Sequence, residues 1–589
     1  MEHFIKQSDK SKMGDITCKL QKVLIECRNN GAENVIRFEK GEYHFYADFC
    51  EPEVLYASNT DSERFPVKKS AINIEGHKNL TLDGGDSKFV MHGKMIAVKV
   101  AFSENITLKN FTWDFPCAST LEMKLINKGS FCADYRLPEN CMWEIKGGKL
   151  HWFEKSPFDG KAYWHNVGQR DSYCTVVCDE KSGNLSRYSV ADGPFNCAVS
   201  FRKLGENELR IYYLKPAVKK FSVGNVFEIC TDTKRDCVGA FFLESKNLTA
   251  ENIGVRYMHG FGWLTQMCEN VTFKGCDFIP DELGERKCTS FADLIHVSGA
   301  KGKIHIESCR FSNAHDDPIN IHGTYTVVKK KISDDSLLLE YAHNQQRGFK
   351  QYHEGDKVVF YLRENLQAFE KGMEFTVKST VDPLEGDCTA AQMKVTFTER
   401  LPDEICTKDK YAVENVTYTP DVYIGGCMFS SIPTRGILCT TKGEVIIENN
   451  VFDGMTMASI YLSNDCNSWY ESGHIENMII RNNTFTIKKA PAFRGAKPAI
   501  LIEPIVPDIS KAENAVHRNI RIEGNTFYLE HSNAVDALLT ENLVIKKNTI
   551  LNDSTDKKPL KAFRLSKCKN VSAVGNCFGE GIDEAIENL

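Results

Sequence analysis

The sequence lacks any run of about 18 apolar residues, which excludes a membrane-spanning helix. Residues 1–15 contain no apolar leader segment, so the chain as written reads as cytoplasmic. A periplasmic or secreted location would require a signal removed ahead of this sequence. It also lacks an excess of either charge, with 73 Lys and Arg against 79 Asp and Glu in 589 residues. That balance offers no basic footprint for nucleic acid or anionic lipid. No Gly-x-Gly-x-x-Gly, Walker loop, His-Glu-x-x-His or Gly-x-Ser-x-Gly occurs, and Asp83-Gly-Gly-Asp86 reads as a turn rather than a phosphate cradle. Among the 22 cysteines there is no Cys-x-x-Cys, and Cys276, Cys309, Cys427 and Cys577 fall at apolar, strand-like positions. They read as reduced, small hydrophobic residues rather than a disulfide framework.

Hydrophobic residues make up 42% of the chain and charged residues 26%, enough for a large core. Much of the chain is one phrase repeated: a turn residue, alternating apolar positions, a small polar residue, then an aromatic. Copies include Asn105-Ile-Thr-Leu-Lys-Asn-Phe111, Asn270-Val-Thr-Phe-Lys-Gly-Cys-Asp-Phe278, Lys303-Ile-His-Ile-Glu-Ser-Cys-Arg-Phe311 and Asn477-Met-Ile-Ile-Arg-Asn-Asn-Thr-Phe485. Spacings of 23 and 26 residues recur, with longer intervals where loops intervene. A period near 23 suits a coil of three short strands, and period-two alternation sets which side chains face inward. The pattern predicts an all-β right-handed parallel β-helix. Asn450, Asn483, Asn525, Asn548 and Asn576 precede the aromatic, where a ladder of asparagines would tolerate a left-handed turn. The Asn-x-Ser/Thr triplets in these phrases read as repeat turns rather than glycosylation sites.

The repeat lapses twice. The organisation expected is a β-helix segment over 1–114 with a capping helix near 16–29, and an inserted barrel over 115–237. A central β-helix segment over 238–323, a second inserted barrel over 324–421 and a C-terminal β-helix segment over 422–589 follow. Both inserts are turn-rich with short alternating runs, and read as small antiparallel β-barrels. Insertions in solenoids gather over the binding face. The flat sides of a solenoid would suit a dimer or trimer.

Four constellations carry candidate chemistry. His315-Asp316-Asp317-Pro318 places two carboxylates side by side, costly unless water, a metal or a substrate meets them. Asp293 lies 23 residues before Asp316, one coil, and should stack beneath the pair. Stacked carboxylates are the equipment of glycoside hydrolysis. Ser463-Asn-Asp-Cys-Asn-Ser-Trp-Tyr-Glu471 is polar and aromatic together: Trp469 or Tyr470 could stack on a sugar ring, and Asp465 and Glu471 could bind hydroxyls. Arg435 precedes a repeat strand and needs a carboxylate partner if buried. Trp263, in His259-Gly-Phe-Gly-Trp263, reads equally as a core residue or as a subsite wall. His296, His315 and His322 show no tight ligand spacing, so neither a metal nor another cofactor is expected.

With these segments in hand, the chain resembles glycoside hydrolase family 110, α-1,3-galactosidases acting on blood group B and linear B-type glycans. The resemblance rests on Asn79-Leu-Thr-Leu-Asp-Gly-Gly85, Glu104-Asn-Ile-Thr-Leu-Lys-Asn-Phe-Thr-Trp-Asp-Phe115, His315-Asp-Asp-Pro-Ile-Asn-Ile-His-Gly-Thr-Tyr325, Thr434-Arg-Gly-Ile-Leu438 and Asn467-Ser-Trp-Tyr-Glu-Ser-Gly473. It implies an inverting, metal-independent hydrolase and a glycan substrate with terminal α-galactose. By resemblance, Asp293 matches the general acid, and Asp316 and Asp317 match the pair that activates water. Arg435 and Glu471 match sugar-binding positions, and His322, in the segment that carries the Asp pair, is a further candidate for binding substrate. The competing readings are a polygalacturonase-like β-helix hydrolase, which lacks the basic cleft it would need here, and a glycan-binding solenoid without catalysis.

Overall fold

The computed structural model describes residues 1–168, 176–230, 235–281, 284–488, 497–555 and 558–588. The repeat phrases form coils of three strands, each strand paired in parallel with its equivalent in the next coil. Register follows the alternation. Leu248, Val271, Ile304, Val422, Val445, Met478, Ile520 and Leu543 stack in one inward-facing file. Each is at most 2% exposed. In the second strand column the aromatics stack: Phe278, Phe311, Phe429, Phe452, Phe485 and Phe527 have centroids 4.6 to 5.3 Å apart. That spacing is the separation of neighbouring strands.

The asparagine ladder forms, but one residue out from the conformation expected. Asn483 Nδ2 donates to Asn525 Oδ1 and to the Ile447 carbonyl, each at 3.0 Å, while its Oδ1 accepts from the Asn450 backbone N–H at 2.9 Å. Asn450, Asn483, Asn525 and Asn548 are buried, with no more than 1% exposure. The left-handed residue is the one before each: Asn449, Asn482, Gly524, Lys547 and Gly575 all have positive φ. The kink turns the ladder amide inward, where only a neighbouring amide or carbonyl can satisfy it. In earlier coils Cys276, Cys309 and Cys427 hold the same position, and the Cys427 N–H reaches Asn450 Oδ1 at 2.8 Å. A thiol needs fewer partners than an amide there. No disulfide joins cysteines among the described residues.

A helix forms over Thr17–Asn30 and ends at Gly31 in the left-handed conformation. It buries Leu20, Val23, Leu24 and Cys27 over the first coils. The second insert is a closed six-stranded barrel built from Thr326–Ser333, Ser336–Tyr341, Lys357–Leu362, Glu374–Val381, Gln392–Phe397 and Tyr411–Asn415. The first is not a closed barrel among its described residues. It is an open seven-stranded sheet with Leu185–Arg187 and Ala198–Lys203 at its edges. A separate three-stranded sheet of Met142–Lys146, Lys149–Lys155 and Ala162–Val167 supplies Leu150, Trp152 and Trp164 to the same core. The face that closure would bury is covered by a second layer instead. No helix among the described residues is long and apolar enough to cross a membrane.

Candidate active site

The third strand column carries the site. Ile295, Ile319 and Ile437 stand in register in three successive coils, with Trp263 before them and Ile460 after. Two residues ahead of each lie Phe261, Asp293, Asp317, Arg435 and Ala458 in turn. A buried apolar position thus becomes charged for three coils and then reverts. The register partner of Asp293 is Asp317 rather than Asp316, as Leu294 N–H bonding the Asp317 carbonyl at 3.0 Å requires.

Asp317 is 1% exposed, and Arg435 takes both its oxygens, Nε to Oδ1 at 2.8 Å and Nη2 to Oδ2 at 2.5 Å. This is the two-pronged pairing that a buried carboxylate needs. Asp316 is more open, with 21% of its side chain exposed, and receives Arg235 Nη2 on Oδ2 at 3.1 Å. Asp293 is 3% exposed and pairs with His296 Nδ1 through Oδ2 at 2.7 Å. One oxygen from each of the three aspartates lies within 4.8 Å of the others. Burial first, then Asp316 and Asp317, pushes the Asp293 carboxyl far above the usual carboxylate range. Burial also raises Asp317, against the pull of Arg435.

The aspartates open into a cavity of about 390 Å³ lined by all four distant parts of the chain. Asn59 comes from the N-terminal segment, Arg187 and Arg235 from the first insert, His343 from the second, and Trp469 and Glu471 from the 463–472 loop. That loop returns antiparallel to Ile319–Thr324, pairing Glu471 with Thr324 and Ser472 with Gly323. Gly473 ends it at φ +119, where a Cβ would lie 2.2 Å from the Thr440 carbonyl. Glu471 Oε1 accepts from Asn59 Nδ2 at 2.9 Å and lies 3.4 Å from His322 Nε2. The Arg235 guanidinium stacks over Phe261 and Trp469, at 4.8 and 5.2 Å from their centroids.

Three of the residues expected to touch substrate stand elsewhere. Trp263 is fully buried against Trp113, Phe242 and Phe273, because its strand position faces inward. Asp465 is 3% exposed, and its oxygens accept from the backbone N–H groups of Asn467, Ser468 and Trp469 at 2.7 Å each. It shapes the loop that presents Trp469. His322 is buried behind Glu471, bonded to His296 and to the Gly323 carbonyl. Arg235, Asn59 and His343 escaped sequence reading, since each lies outside the repeat in a segment without a matching phrase.

Two further groupings could in principle hold an ion. His296, His322 and Glu471 converge on one point, and Glu228, Cys288 and His315 form a fully buried set. The two Nε2 atoms of His296 and His322 are 2.8 Å apart. That is a hydrogen-bond length, shorter than the roughly 3.3 Å separating two imidazole ligands of a tetrahedral zinc ion. His315 Nε2 meets Glu228 Oε2 at 2.5 Å. Burial raises Glu228 to about 8 and lowers His315 to about 3, so a protonated glutamic acid donating to a neutral imidazole accounts for the pair.

A β-helix whose coils stack carboxylates at the floor of a glycan-sized cleft, walled by an aromatic and arginines, defines a glycoside hydrolase. No family model matches the chain. It is 33% identical to α-1,3-galactosidase A of Streptomyces avermitilis, over 94% of this chain and 88% of that protein. It is 32% identical to α-1,3-galactosidase A of Bacteroides thetaiotaomicron, over 93% of this chain and 91% of that one. It is 31% identical to α-1,3-galactosidase B of Phocaeicola vulgatus, over 90% and 89%. The chain belongs to this family, the α-1,3-galactosidases of the glycoside hydrolases. Among solved structures, a tailspike protein mutant of E. coli bacteriophage HK620 in complex with pentasaccharide aligns over 98% of this chain and 78% of that one. The TM-score is 0.39 at 11% identity.

Proposed function

We propose that the cavity releases terminal α-1,3-linked galactose from linear Gal-α-1,3-Gal and blood group B-type glycans, with inversion at the anomeric carbon. Asp293 donates a proton to the glycosidic oxygen. Asp316 accepts one from the attacking water, because Arg435 occupies both oxygens of Asp317. Asp317 fixes Arg435 and keeps negative charge near the developing oxocarbenium ion. Trp469, packed against Arg235 and His343, walls the galactose subsite, and Glu471 and Arg235 offer groups for the sugar hydroxyls. The observation that carries this reading is Asp293 itself. It is buried beside two other carboxylates, with no cation hydrogen-bonded to it, so it stays protonated and can act as an acid at neutral pH.

The same carboxylates could also serve a retaining route. Inverting sites separate their carboxyls by about 6.5–9.5 Å and retaining sites by about 5–5.5 Å. One oxygen from each aspartate lies within 4.8 Å of the others, a nearest approach that either separation of the carboxyl groups allows. A retaining enzyme would use Asp316 as nucleophile and release α-galactose first. Following the anomeric protons during hydrolysis separates the two: β-galactose first supports inversion, and α-galactose first overturns it.

A further inference from the structure

Behind Asp293 runs a chain of side chains whose two histidines, His296 and His322, the reaction above does not use. Asp293 Oδ2 is 2.7 Å from His296 Nδ1, His296 Nε2 is 2.8 Å from His322 Nε2, and His322 Nδ1 is 2.6 Å from the Gly323 carbonyl. Glu471 Oε1 lies 3.4 Å from His322 Nε2. Both imidazoles are buried, and their rings stand nearly perpendicular at 80°. A carbonyl only accepts, so His322 Nδ1 carries a hydrogen. That one anchor leaves the chain two states.

When His322 is neutral, its Nε2 is a lone pair and must accept from His296 Nε2–H. His296 Nδ1 is then a lone pair as well, and Asp293 must turn its own proton toward it. The acid's proton is sequestered on Oδ2, pointing away from the cleft. When His322 is protonated, every link reverses. His322 Nε2–H donates to His296 Nε2, His296 Nδ1–H donates to Asp293 Oδ2, and the proton of Asp293 sits on Oδ1, the oxygen that His296 does not engage. Glu471 supplies the anion that a buried imidazolium requires. The groups facing Asp293 are His296 three residues on, Asp316 and Asp317 from the next coil, Arg235 from the first insert and Glu471 from the loop. Those facing His296 are Asp293, His322 and Arg235. Burial holds His296 neutral throughout, which fits a relay that carries one hydrogen at a time.

We propose that His322, paired with Glu471, is a positioning residue that sets the direction of this hydrogen-bond chain, and that only its protonated form aims the Asp293 proton at the substrate. The proposal rests on Asp293 being the general acid. His322 thereby acts through His296 without touching substrate, and Glu471 has a role beyond binding hydroxyls.

The test is the pH dependence of kcat for the full chain on Gal-α-1,3-Gal, taken at two temperatures. The alkaline limb should move to lower pH on warming, as imidazolium ionisation does and carboxyl ionisation does not. In His322→Gln, whose amide N–H can donate to His296 at every pH, the limb should move to higher pH by about one unit. The plateau kcat should fall by no more than about tenfold, with KM unchanged. A temperature-insensitive limb, or one that stays put in His322→Gln, overturns the proposal. Should the variant fail to fold, the wild-type temperature series still decides. Asp293→Asn separates the two layers of argument. Full activity in that variant removes the general-acid assignment itself, whereas lost activity with an unmoved His322 limb removes only the relay. Loss of activity on chelator dialysis, restored by zinc, would assign His296, His322 and Glu471 to an ion and also overturn it.

Discussion

The asparagine ladder of the C-terminal coils and the charged file of the central coils are the same architectural device used to opposite ends. Each repeats a polar side chain at one register position over successive coils, the ladder sealed in the interior and the charged file at the floor of the cleft. In the ladder every group matches its neighbours: the Asn483 side chain gives two and receives two hydrogen bonds and leaves no polar atom over. In the charged file the neighbours differ. Asp293, Asp317 and Arg435 succeed one another between Phe261 and Ala458, and two acids must coexist with one close cation. A matched ladder stabilises the solenoid. A mismatched one displaces proton affinities, which a hydrolase needs and a scaffold does not.

The comparison can be broken most severely at Asp293. Asp293→Asn should lower kcat on Gal-α-1,3-Gal by about 10²–10⁴-fold, with KM and melting temperature held or improved, because a neutral amide suits a buried site. Steady-state kinetics with thermal denaturation checks both halves. Arg435→Met leaves Asp317 without its partner. It should cost about 3 kcal/mol of stability, the low end for a broken buried pair because the arginine borders the cleft, and abolish activity. Denaturant unfolding measures the first and galactose release the second.

Asn483→Ala makes the opposite break. It removes two donated and two accepted bonds from the ladder, and should destabilise by about 2–4 kcal/mol while the folded fraction keeps wild-type kcat. An effect on kcat per folded molecule would mean that the two regions are coupled. The smallest effect concerns pH. Burial raises Glu122 and Glu154 to about 7 and Glu228 to about 8. The folded state therefore binds more protons than the unfolded one between their ordinary and raised values. These groups contribute stability that is present at low pH and lost as pH rises toward 8. Melting temperature should fall from pH 6 to pH 8. Glu228→Gln, which keeps a donor for His315, should reduce that fall by roughly a degree or so.

Much of this was legible in the sequence, and the failures have common physical causes. The solenoid could be read because period-two alternation and recurring Asn-aromatic phrases are local. The three aspartates could be read because one coil has a nearly fixed length. Within the pair it is Asp317 that Asp293 meets, since the coil from Ile295 to Ile319 has 24 residues rather than 23. Trp263 was misplaced because its facing depends on strand register, and an inward tryptophan looks like a sugar platform until that register is known. Asp465 looked like a ligand-binding acid, yet three backbone N–H groups use it up. Arg235, Asn59 and His343 were out of reach because tertiary folding alone brings the N-terminal segment and both inserts over the coil that carries Asp316. The closed second barrel and the open first sheet carry the same short alternating runs. What distinguishes them is how each core is covered, which strand patterning does not encode.

The most direct test of the central claim is proton NMR of the anomeric signals while the enzyme hydrolyses Gal-α-1,3-Gal, run beside Asp293→Asn. The account predicts β-galactose as the first product and turnover lowered by about 10²–10⁴-fold in the variant. α-Galactose appearing first, or undiminished release by Asp293→Asn, would contradict it.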